Sequence, residues 1–311
     1  MNGMCMGRSR KRGMWWRVAA LAIACLLCSY ARAPAAESRI KVSRRARALQ
    51  PGEVLLLQAE SDKPLDRLRA EAFGREFPMF PESGGLRWTG LVGIDLETAA
   101  GRYPLRIRGA GPGGEAVYWE EELPVRAKQF PVRRLTVDEK FVSPPPEVLT
   151  RIREEAEKVR AVFAQVTPRR FWSGTFRAPV PGPVISEFGK RSVYNEQPRS
   201  PHTGTDFRAA AGTPVRAPDA GRVALAAELY YSGKTVIVDH GFGLYSYFGH
   251  LSAVSVLEGA MVAAGDIVGR VGATGLATGP HLHWSVRLVG TRVDPMSLLS
   301  LFAPRAPAGK R

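Results

Sequence analysis

Two stretches decide how this chain is organised: Pro201-His202-Thr203-Gly204-Thr205-Asp206-Phe207 and Gly279-Pro280-His281-Leu282-His283-Trp284. All five histidines of the sequence lie between residues 200 and 284, and three of them stand in these two stretches. Histidine is the commonest protein ligand for transition metals and the usual proton shuttle near neutral pH. Confinement of every histidine to one segment therefore predicts a metal site in that segment.

The spacing within both stretches is that of a β-strand. The flanking sequence is rich in Val, Ile, Thr and aromatic residues and is interrupted by Gly and Pro, which is typical of short strands. Alternate residues of a strand point to one face, so His281 and His283 should project together, as should His202 and Asp206. Gly204 carries no side chain and should leave room for an ion. Three imidazoles and a carboxylate suit a catalytic zinc, which uses three protein ligands and keeps a position for water.

Two other interpretations of these residues compete with a catalytic metal. A lone His-x-His is more often a pair of solvated or core histidines, but here a further His250 lies between the two motifs. A structural metal site is the nearer alternative. It is disfavoured because structural zinc commonly uses thiolates, and Cys5, Cys25 and Cys28 all lie far from the histidines.

The order of further motifs makes the chain resemble a known family. The motifs are His202-x-x-x-Asp206, Gly212-Thr213-Pro214-Val215, Val238-Asp239-His240-Gly241, Gly249-His250-Leu251-Ser252 and Thr278-Gly279-Pro280-His281-Leu282-His283. In this order they resemble the zinc metallopeptidases that include lysostaphin and LytM, over about residues 176–298. The resemblance implies an antiparallel β peptidase domain with a groove, one Zn²⁺ per chain, and hydrolysis of peptide cross-links or stem peptides in bacterial peptidoglycan.

The resemblance also implies roles for single residues. His202, Asp206 and His283 match the zinc ligands of the family. His250 and His281 match the pair that flanks the metal-bound water and the scissile carbonyl. The division of these two between general base and oxyanion donor stays open. His240 is expected to be structural, with its ring bonded to nearby backbone.

The loop 189–195 should border the substrate groove, judged by its position in the family. Tyr194 and Asn195 are therefore candidate substrate-binding residues, although loops often carry such side chains without a function. Glu196 follows them at a position where we expect a glycine in close relatives.

Two functions from other classes stay open. Some relatives have lost metal ligands and act as non-enzymatic activators of a cell-wall amidase, but every ligand position is filled here. The other alternative is a wall-binding protein in which the N-terminal part does the main work.

Residues 1–36 are predicted to be a secretory signal peptide. A basic start precedes an apolar run at 18–29 that is short for a membrane helix, and Ala35 and Ala36 offer small-residue cleavage sites. An uncleaved N-terminal anchor is the alternative, and it would be the chain's contact with the membrane. The three cysteines all lie in this segment, so the mature chain would have neither a disulfide nor a cysteine nucleophile. The expected location is the periplasm, the cell wall or the exterior.

The charge balance favours an anionic envelope as partner. The formal net charge is +15, and removal of 1–36 with its six basic residues lowers it to +9. A basic secreted protein is attracted to anionic polymers at long range. Nucleic acid is disfavoured because the Lys and Arg are scattered among acids, without an Arg-rich arm. Nothing in the sequence predicts an oligomeric state.

The predicted fold class is mostly β, in three parts. Residues 38–127 are predicted to form a β-sandwich, immunoglobulin-like, with short strands at 54–57, 91–96, 103–107 and 117–119 separated by Gly- and Pro-containing turns. Residues 139–167 read as a helical linker, with a helix over 147–166 that has one apolar face. Residues 171–303 read as the peptidase domain, and 304–311 as a disordered tail. The N-terminal domain would steer the enzyme to the wall or a partner, or serve as a spacer or cover.

Overall fold

The computed structural model describes residues 39–82, 84–137 and 143–303 of the 311-residue chain. The predicted signal peptide at 1–36 and the predicted tail at 304–311 lie outside these residues. The structure is 47% strand and 10% helix, which confirms the mostly β class. Within the described ranges, no helix has the length and apolar character needed to cross a bilayer.

Seven antiparallel strands form the sheet of the N-terminal part, in the spatial order β1-β2-β5-β4-β3-β6-β7. They are β1 (Ile40–Arg45), β2 (Val54–Ser61), β3 (Arg67–Ala72), β4 (Arg75–Pro81), β5 (Arg87–Gly93), β6 (Gly101–Ala110) and β7 (Ala116–Val125). In β3, Leu68 and Ala70 are buried while Arg67 and Arg69 are exposed. This alternation is typical of a sheet with one face on the core and one in water. The likeness to an immunoglobulin domain stays a prediction.

A strand and a helix connect this sheet to the rest of the chain. Strand β8 (Val132–Leu135) is followed by a 3₁₀ turn at Pro146–Val148 and by helix α1 (Leu149–Ala164). The helix is thus close to the predicted 147–166, and Pro146 sits at its entrance, where the fixed φ and missing N–H of proline do no harm. Its apolar side chains pack on the C-terminal sheet around Leu225 and Tyr245.

The C-terminal part is built on a ten-stranded sheet whose main path runs β17-β14-β15-β16-β19-β12-β9 among the described residues. Its strands are β9 (Val184–Ser186), β12 (Thr205–Phe207), β13 (Pro214–Arg216), β14 (Gly221–Leu229), β15 (Gly233–Gly241), β16 (Leu244–Val254), β17 (Met261–Val262), β18 (Ile267–Val271), β19 (Leu282–Leu288) and β20 (Thr291–Val293). A separate hairpin is formed by β10 (Arg191–Tyr194) and β11 (Gln197–Pro198), and helix α2 (Pro295–Phe302) ends the described chain. Phe248 of β16 and Trp284 of β19 are fully buried in the core against this sheet.

A buried ion pair joins the N-terminal part to helix α2. The carboxylate of Glu53 is 2% exposed and accepts hydrogen bonds from Arg47 and from the hydroxyl of Ser297. Arg47 also pairs at 2.6 Å with Asp294, whose other carboxylate oxygen caps α2 by accepting from the Met296 amide. The described residues from 39 to 303 accordingly belong to one compact unit. The predicted division into 38–127, 139–167 and 171–303 stays a prediction.

Strand pairing makes a second connection between the N-terminal and C-terminal parts of the chain. Strand β8 pairs in parallel with β10, so that Val132 lies opposite Arg191 and Leu135 opposite Tyr194. Together with β11 these strands form a three-stranded sheet that borders the candidate site. The chain just after the N-terminal sheet thus supports a loop that lies about 60 residues further on.

Candidate metal centre and active site

Three candidate ligands converge on one point. Nε2 of His202 lies 3.0 Å from Oδ1 of Asp206 and 3.0 Å from Nδ1 of His283, and the last two atoms are 2.9 Å apart. These three side chains form the group of metal-binding type found among the described residues, with their donor atoms within 4.8 Å of one another. Two imidazole nitrogens and one carboxylate oxygen are the donor types of three-ligand catalytic zinc sites. The residues present therefore fit a single Zn²⁺.

His202 reaches the site from a loop and not from a strand. Strand β12 begins only at Thr205, so the predicted strand alternation from His202 to Asp206 is not what aligns them. The backbone of His202 is held by hydrogen bonds to Lys190 and Gly189, and its Nδ1 donates to the carbonyl of Glu187 at 2.9 Å. This bond fixes the tautomer and leaves the Nε2 lone pair for an ion. Burial lowers the pKa of His202, but the bond and charge of Asp206 outweigh it and leave the pKa raised.

Asp206 lies directly opposite His283 in the antiparallel pair of β12 and β19. Residues in this relation have side chains on the same face with Cβ atoms about 5 Å apart, which brings both to one ion. Burial alone would raise the pKa of Asp206, but hydrogen bonds with His202 and His283 hold it well below its ordinary value. The carboxylate is therefore ionised at neutral pH and can act as a ligand.

Gly204 makes space for a ligand ring instead of for the ion itself. A Cβ at this residue would lie 2.7 Å from Cε1 and 2.8 Å from Nε2 of His283, and 2.6 Å from the carbonyl oxygen of Trp284. Real Cβ atoms are essentially never found this close to other atoms. The missing side chain of Gly204 thus lets the imidazole of His283 lie flat against the loop that carries His202.

His250 is turned into the site by a β-bulge. Val236 is paired with Phe248 and Lys234 with Leu251, so β16 has one more residue than β15 between these pairs. Tyr247 faces the ring of His283 while Phe248 is in the core, and strict alternation would send His250 to the core as well. A left-handed φ of 63° at His250 reverses this direction. Bulges of this kind commonly redirect a side chain next to an active site.

His250 and His281 form a second pair beside the candidate ligands. Their ring centroids are 4.7 Å apart, and the ring of His250 lies 6.1 Å from that of His283. Nδ1 of His250 is 2.9 Å from the Thr274 carbonyl, and Nδ1 of His281 is 2.9 Å from the Gly279 carbonyl. Each Nδ1 therefore carries a proton, which leaves Nε2 as the chemically active nitrogen.

The pKa of His250 is lowered to about 4, chiefly because burial disfavours the charged ring. Its Nε2 is consequently unprotonated at neutral pH and able to accept a proton. By contrast, His240 lies in the core, with Nδ1 2.8 Å from the Ala220 carbonyl and Nε2 2.9 Å from the Ser246 hydroxyl. The prediction that His240 is structural is confirmed.

Tyr194 and Asn195 lie in the hairpin that borders the site. Asn195 and Glu196 have φ values of 47° and 63° and connect β10 to β11 as a two-residue turn of the I′ type. The side chain of Asn195 accepts a hydrogen bond from the amide of Val137 and donates one to its carbonyl, at 2.9 and 3.0 Å. The turn explains why glycine is expected at residue 196. Substrate binding by Tyr194 and Asn195 stays a prediction.

Several residues that shape the site were not identified from the sequence. Glu187, Thr274 and Gly279 act through main-chain carbonyls, which carry no residue-type signal. Tyr247 donates a hydrogen bond to Ser232, whose carbonyl accepts from the amide of His250. The alternation of β16, with Tyr247 two residues before Gly249, is the signal that could have placed Tyr247 on the site face.

Comparison with known proteins agrees with this geometry. Residues 200–295 match the family described as Peptidase family M23. The curated relatives include the DD-carboxypeptidase/endopeptidase Mpg of Neisseria meningitidis, 42% identical over 97 residues, and the peptidoglycan DD-endopeptidase ShyA of Vibrio cholerae, 36% identical over 114 residues. These alignments cover 31% and 36% of this chain but span only 22% and 26% of the two relatives.

A solved structure extends the likeness to most of the chain. A Pseudomonas aeruginosa protein assigned to peptidase M23 superposes with a TM-score of 0.64 at 35% sequence identity. The match covers 82% of this chain and 97% of the Pseudomonas protein. It therefore includes much more than the segment that carries the histidines. With this near-complete coverage, the chain belongs to peptidase family M23.

Proposed function

We propose that this protein is a zinc-dependent endopeptidase that hydrolyses peptide bonds in bacterial peptidoglycan outside the cytoplasm. The observation that carries the proposal is the convergence of His202, Asp206 and His283 within 4.8 Å of one another. The adjacent pair of His250 and His281 supplies groups for proton transfer. Relatives named as peptidoglycan endopeptidases support the substrate class.

His202, Asp206 and His283 hold the metal in this proposal. When bound, Zn²⁺ lowers the pKa of a water toward about 7 and polarises a carbonyl oxygen. Asp206 contributes the negative charge of the site, and the Glu187 carbonyl keeps Nε2 of His202 pointed at the ion. Loss of a hydrogen bond that orients a metal ligand in this way commonly changes metal affinity by about 10- to 100-fold.

His250 and His281 share the proton chemistry. The low pKa of His250 keeps its Nε2 free to accept a proton from the attacking water. Both rings are anchored through Nδ1 to a backbone carbonyl, so both can present Nε2 to the reacting groups. One ring acts as the general base, which takes a proton from the attacking water and then passes it to the leaving amine. The other ring donates to the oxyanion when its Nε2 has taken up a proton from solvent.

The bond between D-alanine and diaminopimelate is the proposed point of cleavage. The names of two relatives as DD-endopeptidases favour it, and the predicted signal peptide suits a periplasmic enzyme. The positive charge of the remaining chain would hold it near anionic wall polymers.

Purified sacculi provide the test. The wild type should release soluble muropeptides, a chelator should stop the release, and added Zn²⁺ should restore it. His281→Ala should keep one zinc per chain but lose turnover, whereas Asp206→Ala should lose the zinc as well. Full activity of His281→Ala would refute its assigned role. Failure of the pure, zinc-loaded wild type to release fragments would instead favour an amidase activator or a wall-binding protein.

A further inference from the structure

A cavity of about 680 Å³ lies between helix α1 and the sheet that carries the metal centre. Phe163 and Val159 of α1 form its apolar side, and Tyr247 and Ser232 form part of its floor. The floor is continuous with the candidate active site. The ring of Tyr247 lies 6.2 Å from that of His283, and the Ser232 carbonyl accepts from the amide of His250.

Four arginines line the cavity, and three of them have partners. Arg75 donates to the Val289 carbonyl at 3.2 Å. Arg160 pairs with Glu157 on the exposed face of α1. Arg292 forms hydrogen-bonded ion pairs with Asp95 and Glu97. These three side chains therefore already have acceptors for their N–H groups.

The fourth, Arg287, has no such partner. Within the described ranges, its guanidinium makes neither a hydrogen bond nor an ion pair, and its Nη1 atom is buried without an acceptor. Its guanidinium carbon lies 5.5 Å from the centre of the Phe163 ring, which it faces as a cation over an aromatic face. Burial lowers the pKa of Arg287 to about 10, so the side chain is still charged at neutral pH.

An uncompensated charge in such a position opposes folding. A partly buried guanidinium with an unmade hydrogen bond costs free energy that a neutral side chain of the same shape would not. Residues kept at a cost to stability are commonly kept for binding or catalysis. Among the described residues that line the cavity, the carboxylate is that of Glu155, and it already accepts from Arg151 and from the Tyr230 amide. The missing partner of Arg287 is therefore an anion that arrives from outside.

The position of Arg287 relates this anion to the substrate. Arg287 lies four residues after His283 on β19, hence on the same face and roughly 13 Å further along the sheet. An extended peptide rises about 3.3 Å per residue, so one held along this face would reach Arg287 about two to four residues from the hydrolysed bond. Arginine presents a planar fork that matches a carboxylate with two parallel hydrogen bonds.

We propose that Arg287 binds a carboxylate of the peptide substrate, with α1 and Phe163 closing the apolar side of that subsite. The inference rests on the proposed peptidase function and adds a specificity determinant to it. In wall peptides the carboxylate has two sources, the free C-terminus of a stem and the side chain of a diaminoacid. Both offer the same group to the guanidinium, and substrates blocked at one or the other distinguish them.

Arg287→Met and Arg287→Lys test the proposal in the zinc-loaded, full-length protein. The Met variant keeps the packing on Phe163 and removes the charge, whereas the Lys variant keeps the charge and loses the fork. Arg160→Met is the matched control, since Arg160 faces the same cavity but is 68% exposed and already paired. The substrates are cross-linked muropeptide dimers with free carboxylates, with an amidated C-terminus, or with an amidated diaminoacid.

On the free dimer, Arg287→Met should lower kcat/KM about 10- to 100-fold, mainly through KM, since a charged hydrogen bond is lost. Arg287→Lys should fall between it and the wild type, and Arg160→Met should stay within about twofold. For the wild type, one of the two amidated dimers should be as poor a substrate as the free dimer is for Arg287→Met. The position of the amide in that dimer identifies the carboxylate that Arg287 binds. Equal rates for wild type and Arg287→Met, or equal use of all three dimers, would overturn the proposal.

Two further measurements distinguish substrate binding by Arg287 from a structural role of this residue. They also test the binding proposal separately from the proposed peptidase function. Thermal unfolding of Arg287→Met should occur at or above the wild-type Tm, because an unpaired charge has been removed; a lower Tm with a proportionate fall in activity would mean a structural role. Calorimetric titration of His281→Ala with a free stem tetrapeptide should show binding that Arg287→Met abolishes. If the wild type cuts no wall, this titration still decides whether Arg287 binds carboxylate, so the two failures are distinguishable.

Discussion

Replacement of Gly204 by alanine is the sharpest test of the geometry of the candidate metal centre. The new Cβ would lie 2.7 and 2.8 Å from two atoms of the His283 ring and 2.6 Å from the carbonyl oxygen of Trp284. Carbon atoms rest at about 3.5 to 4.0 Å from one another, so the ring must retreat by roughly 0.7 Å or more. Trp284 is fully buried and its backbone belongs to β19, so its carbonyl oxygen does not yield. The loop of residue 204 must then shift as well as the imidazole, which displaces His283 relative to His202.

The expected effect follows from how closely a site must be held. Catalytic constellations tolerate displacements of about 0.5 Å, and a 1 Å misplacement can cost about 100-fold in rate. We therefore expect Gly204→Ala to weaken zinc affinity and to lower kcat/KM, each by about 10- to 100-fold. Overpacking should also cost about 1 to 3 kcal/mol of stability, which leaves a folded protein for the measurement.

Zinc affinity would be measured by competition with a chromophoric chelator, and activity by release of fragments from sacculi. Gly279→Ala is the matched control, because Gly279 lies two residues from His281 and its new methyl group would have no other atom within 4 Å. Neither glycine has a positive φ, so backbone strain does not separate the two variants. Wild-type zinc affinity and rate in Gly204→Ala would refute the reasoning.

Three further predictions concern stability. Glu53→Ala should lower the free energy of unfolding in urea by about 1 to 3 kcal/mol, because the buried hydroxyl of Ser297 loses its acceptor while Arg47 keeps its pair with Asp294. Glu76→Ala, whose pair with Arg69 is exposed, should cost less than about 1 kcal/mol. Burial lowers the pKa of His240, so its neutral ring stabilises the folded state above the unfolded-state pKa, and this stabilisation is lost as the pH falls. The urea midpoint of His240→Gln should therefore drop less from pH 8 to pH 5 than that of the wild type. An equal drop in both proteins would contradict this prediction. Glu196→Gly should raise stability by up to about 1 kcal/mol, since Glu196 has a left-handed φ of 63°, and a lower Tm would argue against the I′ turn.

Motif spacing was enough to identify the candidate ligands. The strand alternation that was expected to align their side chains explains only part of the observed geometry. His283 lies in β19, whereas His281 precedes that strand and forms an isolated β-bridge with Gly272. His202 is instead aligned by hydrogen bonds to Lys190, Gly189 and Glu187. Such main-chain contacts depend on where the chain returns in space, and a local pattern does not contain that information.

The bulge at His250 could not be predicted from the sequence, for a related reason. Whether a strand has an extra residue is defined only against its partner, here β15. The sequence between Leu244 and Val254 shows the alternation on both sides but not the point where it is broken. A histidine that the alternation would place in the core thus reaches the candidate active site.

In the N-terminal part the predicted strands were those with strong apolar runs. The run 54–57 lies in β2, and 117–119 lies in β7. Strand β3 was missed because Arg67, Arg69 and Glu71 occupy its outer face and leave only Leu68 and small alanines inside. Strand β8 is hardly apolar, and it exists because β10 offers it a partner.

The pairing of β8 with β10 decides how much chain an independent enzyme requires. The segment that matches the family, 200–295, omits β9, which flanks the strand of Asp206, and also omits the Glu187 carbonyl that orients His202. An excised fragment starting at 171 would regain these but would expose the edge of β10 to water and to other molecules. The smallest fragment that keeps this site intact when it is fused to another protein should therefore begin upstream of Val132. Such a fragment includes β8, the partner strand of β10.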